Sequence, residues 1–168
     1  MVYHGETIST QLFSILTWAW TGHGTAPASI TLKAIVEGYP FEYLDRDDDL
    51  PAAFLVKPEW PRVSHYPKFV EEIYTLQIYI VDELPASGFP EEAIREMGYK
   101  VRTNMLASAD TTTSTRNLAS PMGLSYVEDV RWTGSYVRDE VQELIESMGL
   151  DLVTIREDFE IQAHGTER

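Results

Sequence analysis

The sequence has no cysteine. That excludes disulfides, thiol catalysis, thiolate zinc sites and iron–sulfur clusters together, and it fits a reducing compartment. Basic residues are scarce: 13 Lys+Arg stand against 27 Asp+Glu, a formal charge of −14 over 168 residues. A face this acidic repels nucleic-acid phosphates and argues against docking on anionic membranes. Long apolar runs are missing too. The densest, Leu12 to Trp20, contains Ser14 and Thr17 and is too short to span a bilayer. The opening Met-Val-Tyr-His-Gly-Glu lacks the positive stretch of a secretory signal, so none is expected. The phosphate-cradling glycine motifs, G-x-S-x-G and H-E-x-x-H are all absent.

What is present is enough for one folded domain. The chain is 43% hydrophobic and 11% aromatic, the make-up of a chain with a core, and a domain of this length buries roughly 70% of its unfolded surface. The acids are clustered. Residues 37–59 carry net −5 and residues 139–160 net −7. Such faces suit basic protein partners, or a surface along which DNA must slide without sticking; they also suit a plain solvated exterior.

Periodicity divides the chain into elements. Ile8, Leu12, Ile15, Leu16 and Ala19 predict a helix over 8–20 with Thr7 as N-cap. Phe13, Trp18 and Trp20 widen its apolar surface. Residues 28–37 are ambiguous. Pro27 and Gly38 bracket a helix, whereas Ile30, Leu32, Ala34 and Val36 alternate as in a strand; the helix is preferred. Asp45 to Pro51 is an acidic turn, and Ala53–Val56 a short buried strand. Pro58, Pro61 and Pro67 make 58–67 a loop or edge arm. Residues 69–82 alternate as a long strand, with Tyr74, Leu76, Ile78 and Ile80 on one face and Ile73, Thr75, Gln77 and Tyr79 on the other.

A helix starts at Pro90, with Glu91 and Glu92 in its positive first turn and Ile94, Met97, Val101 and Met105 on one side. Gly98 weakens it by roughly 1 kcal/mol relative to Ala unless a close neighbour needs the space. The small polar tract 107–121 reads as a mobile loop. Leu124, Tyr126, Val130 and Trp132 form a strand interrupted by Glu128. Val137 to Met148 form a helix stopped by Gly149, and Val153, Ile155, Phe159 and Ile161 a last strand interrupted by Glu157. The sum is a single α+β domain over 1–168, with a mainly antiparallel or mixed sheet of about four strands packed by helices.

The chemistry-bearing residues are sparse. Asp45, Asp47 and Asp49 have the spacing of a calcium loop, but the sixth and twelfth positions hold Leu50 and Val56 instead of Gly and Glu. His4, His23, His65 and His164 fall in loops or near the termini and form no ligand pair. Adjacent acids such as Glu71-Glu72 or Asp82-Glu83 arise by chance among 27 acids. No catalytic, cofactor-binding or metal-ligating residue is therefore assigned, and no cofactor is expected. Trp60 and Tyr66, on the proline-stiffened arm, read either as interface anchors or as a lid folded on the core. Asp47, Asp48 and Asp49 join them as candidate interface residues.

The order of elements resembles a known family. A first amphipathic helix, the strand P-A-A-F-L-V-K-P (51–58), the segment K-F-V-E-E-I-Y-T-L-Q-I-Y-I-V-D (68–82) and the close M-G-L-D-L-V-T-I-R-E-D-F-E-I (148–161) are similar to phage tail terminator and tail-completion proteins. The resemblance implies a non-enzymatic virion protein, assembled in the host cytoplasm. It implies a homo-oligomeric ring, commonly a hexamer, on the head-proximal end of a long tail tube. Its partners would be copies of itself, the tail-tube protein and a head-completion or connector protein, while DNA passes without specific binding. Other head–tail connector or neck proteins share these features. A small cation-dependent hydrolase using the 45–49 acids is the alternative from a different class.

Overall fold

A computed structural model describes residues 4–17, 28–40, 49–56, 61–85, 90–109 and 120–165. In chain order these form α1 (Gly5–Leu16), β1 (Ala34–Glu37), β2 (Ala52–Val56), β3 (Arg62–His65), β4 (Val70–Glu83), α2 (Pro90–Ala109), a 3-10 turn (Pro121–Gly123), β5 (Val127–Tyr136), α3 (Glu140–Ser147) and β6 (Leu152–Gly165). The strands make one mixed six-stranded sheet in the order β1-β2-β4-β6-β5, with β3 pairing β4 beyond the end of β2. Only β1–β2 is parallel. The α+β class expected from the sequence holds, but the sheet has six strands rather than about four.

The two additional strands are β1 and β3. Residues 34–37 are extended, so the helical reading of 28–37 is wrong. Asn104 of α2 binds both backbone groups of Ala28, accepting from its N–H at 3.0 Å and donating to its carbonyl at 3.0 Å. Lys33 N–H then donates to Pro51 O and Gly38 N–H to Leu55 O. The hydrogen bonds of this segment are thus taken by a side chain and by β2, leaving none for a helix. β3 occupies the part of the proline arm between Pro61 and Pro67, as an edge strand.

Strands β4 and β6 pair over fourteen positions and form the spine. Their alternation sorts side chains onto two faces. Tyr74, Leu76, Ile78 and Ile80 of β4, with Val153, Ile155, Phe159 and Ile161 of β6, bury against α1 and α2. α1 begins three residues before the expected start: its N-cap is His4, not Thr7, and Leu16 is its last residue. His4 N–H donates to the Tyr74 hydroxyl at 3.0 Å, which anchors the extra turn. Trp18 and Trp20 lie outside the described residues. α2 keeps helical backbone through Ala109, so the first residues of the polar tract are not loop; residues 110–119 lie outside the described set.

The opposite face is covered by α3 at one end only. There Leu50, Ala52, Phe54, Tyr79, Val81 and Leu152 pack with Val141 and Ile145. Asp139 caps α3, its carboxylate accepting from Val141 N–H at 3.1 Å and Gln142 N–H at 3.2 Å. Gly149 closes it at φ 68°, a conformation that favours glycine. Beyond Tyr136, β5 no longer covers the edge of β6. Gln142 stands in for it, accepting from Thr154 N–H at 2.9 Å and donating to Leu152 O at 3.4 Å. Among the described residues, no helix covers the rest of this face, from β3 across β4 and β6 to β5.

Candidate functional site

The uncovered half-face ends in a groove. Hairpin β3–β4 turns through Tyr66-Pro67-Lys68-Phe69, where proline presets the backbone of the second turn position and Tyr66 N–H donates to Phe69 O at 2.9 Å. The turn sets the two aromatic rings side by side, centroids 4.6 Å apart and planes 21° from parallel. They are 44% and 48% exposed, so Tyr66 is not a lid on the core. With Glu71, Glu128, Gln162 and His164 they line an open groove of about 530 Å³.

Register explains the other four. Glu71 and His164 are directly opposed across β4 and β6, and Gln162 lies two residues along β6, on the same face. Glu128 is the extra residue of a bulge, since Val127 pairs Ala163 and Asp129 pairs Gln162. The bulge re-aims its side chain, and Glu128 Oε1 comes to 3.2 Å from His164 Nδ1. Glu71 accepts from Gln162 Nε2 and from the Tyr66 hydroxyl, the latter at 3.3 Å. Among the described residues, neither Glu71 nor Glu128 pairs with a lysine or arginine.

The neighbouring ions on this face are already matched. Arg62 lies 3.7 Å from Glu160, Arg131 binds Asp129 at 2.7 Å, and Arg156 binds Asp158 at 2.9 Å and Asp139 at 3.4 Å. The Arg156 guanidinium lies over Tyr136, 4.4 Å from its ring centroid. Burial pushes the nearby Tyr79 phenol up to about 12, partly offset by its hydrogen bond with Arg156. Burial also raises the Asp158 carboxyl, against the pull of Arg156.

On the other face, Glu157 is 1% exposed beneath α2. A second bulge, at Thr133, turns Trp132 and Ser135 to the same side. Trp132 Nε1 donates to Glu157 Oε2 and Ser135 Oγ to Oε1, each at 2.7 Å. Burial raises the Glu157 pKa, while those two donors and the positive Arg102 lower it. Arg102 lies over Trp132, 4.4 Å from the ring centroid. The hydrogen bonds from Trp132 and Ser135 fasten edge strand β5 to β6. Glu72, the buried member of the 71–72 pair, likewise turns inward and accepts from the Tyr74 hydroxyl at 2.8 Å.

Of the two expected interface residues that are described, Tyr66 and Asp49, Tyr66 reaches the groove. Asp49 is exposed and outside it; Trp60, Asp47 and Asp48 lie outside the described residues, as does Asp45 of the calcium-like spacing. The histidines are not all in loops: His65 ends β3 and His164 lies on β6. Phe69, Glu71, Glu128, Gln162 and His164 were not singled out as site residues from sequence. Two signals pointed to them: the Tyr-Pro-x-Phe turn between alternating segments, and the break in alternation at Glu128. Among the described residues no group of three or more His, Cys, Asp or Glu converges to hold a metal ion, and no helix is long and apolar enough to cross a membrane. The groove sets aromatic faces beside carboxylates, the elements of cation recognition. No protein-family model and no curated protein matches this chain.

Proposed function

We propose that this protein is a structural virion subunit, not an enzyme. It forms a homo-oligomeric ring at the head-proximal end of a long phage tail tube, ends tube growth there and joins the tail to the head connector. The observation that carries this reading is an unsaturated association surface. Among the described residues, half of one sheet face has no covering helix. The ten-residue strand β5 closes the sheet with its outer edge unpaired among the described residues, and Trp132 and Tyr136 on it are 40% and 44% exposed. Such an edge is a template for another chain, and large aromatics are favoured interface anchors. The order of elements, which resembles the tail-terminator family, favours the tail ring, and a head–tail connector or neck protein shares it.

The charge supports the same reading. The outward side of α3 carries Glu140, Glu143 and Glu146 and no base. Facing a channel, these acids offer DNA no phosphate contact.

Mass photometry and negative-stain imaging at high protein concentration, with and without tail-tube protein, test the proposal. Rings and capped tube ends are the expected result. A strict monomer that never caps tubes overturns it. Crosslinking to a connector component instead of the tube moves the protein to the neck.

A further inference from the structure

The geometry points to the Tyr66–Phe69 groove as a receptor for an arginine side chain presented by another, basic protein. Three features select that occupant. The stacked rings offer π-faces, which attract cations, and a planar guanidinium stacks on them better than an ammonium does. Glu71 and Glu128 border the same space. Their contacts are Gln162, the Tyr66 hydroxyl and His164; among the described residues no lysine or arginine lies within ion-pair distance of either, and Arg131, bound to Asp129 at 2.7 Å, acts on Glu71 only from farther off. An arriving arginine supplies a positive charge in direct contact and can fork between carboxylate oxygens. The groove, about 530 Å³, holds one long side chain with its flanking backbone rather than a folded domain.

The alternatives fit less well. An anion would meet two carboxylates. A purely apolar side chain would strip water from them without replacement. A second copy of this chain brings another −14 of charge, whereas a basic protein is drawn in by it. The inference does not rest on the ring reading, because a single subunit carries the whole groove.

The test is nuclear magnetic resonance titration of the labelled full-length protein with blocked Gly-Gly-Arg-Gly-Gly. The same pentapeptide carrying citrulline, which has the shape without the charge, is the control. Saturable shifts at Tyr66, Phe69, Glu71, Glu128 and His164 are expected, with citrulline at least about tenfold weaker and arginine binding weakened by salt. The Glu71→Gln, Glu128→Gln double variant should lose about tenfold or more. Phe69→Ala, at a half-exposed ring, should also lose affinity while keeping the native spectrum, and it decides the matter if the double variant does not fold. Shifts that never saturate, that are equal for citrulline, or that survive loss of both carboxylates overturn the proposal. Failure to form rings leaves this result untouched, and failure here leaves tube capping untouched.

Discussion

Gly98 lies in the interior of α2, where alanine normally adds about 1 kcal/mol of helix stability. Here the sign reverses. A Cβ built at Gly98 would stand 2.6 Å from Glu157 Oε1 and 2.7 Å from Ile155 Cδ1. Ile155 ends in a methyl that can rotate, but Glu157 is buried and held by Trp132 and Ser135 at 2.7 Å each. Making room means moving α2 off the sheet, at a cost typical of overpacking, about 1–3 kcal/mol. The other way is to break a hydrogen bond to a buried carboxylate, about 1.5–3 kcal/mol. Set against a helix gain of about 1 kcal/mol, either leaves Gly98→Ala destabilising by up to about 2 kcal/mol net. Urea unfolding followed by tryptophan fluorescence measures it. A double-mutant cycle sharpens it: in a Glu157→Ala background the same substitution should recover, because the pinned oxygen has gone. Stabilisation by Gly98→Ala in the wild-type background would refute the close-approach argument.

Glu157 also sets a pH dependence. Its folded pKa is raised, chiefly by burial, so the folded state holds the proton to higher pH than the unfolded chain does. The favourable contribution is present below the unfolded value, roughly 4.3, and is lost as pH rises through the folded one. The stability of Glu157→Gln relative to wild type should therefore climb with pH across that window in parallel urea titrations; a flat difference contradicts the assignment. Asp139→Ala removes the α3 cap and one partner of Arg156 and should cost about 1–2 kcal/mol by the same assay. A loss below a few tenths would show that the cap is dispensable. Glu72→Gln keeps an acceptor for the Tyr74 hydroxyl and removes a fully buried acid whose Oε1 has no hydrogen-bond partner among the described residues. It should be neutral or stabilising by up to about 2 kcal/mol, read as a higher midpoint, and a large loss would mean that Glu72 has a partner.

The groove was far less legible in sequence than the fold. Tyr66 stood out because a proline-bound aromatic has few ways into a core. Glu71 did not, because its neighbour Glu72 is the same residue type and only strand register separates the exposed acid from the buried one. His164 and Glu128 are distant in the chain and meet only because β5 carries a bulge. The interruptions at Glu128 and Glu157 were visible as broken alternation. One is the bulge itself, and the other is a buried acid whose two donors a second bulge supplies.

By itself the sequence determined α2, α3, β4 and β6 as elements, the two faces of β4 and the acid clustering. Each is written in local periodicity, capping residues or composition, which act over a turn of helix or a few strand positions. The tertiary structure alone decided that residues 34–37 are a strand, that β3 extends the sheet and that α3 covers only half of one face. Those outcomes depend on which distant groups supply the hydrogen bonds: the Asn104 side chain and β2 for the first, β4 for the second. Local patterning is silent about partners so far away, and the groove exists only because those partners met.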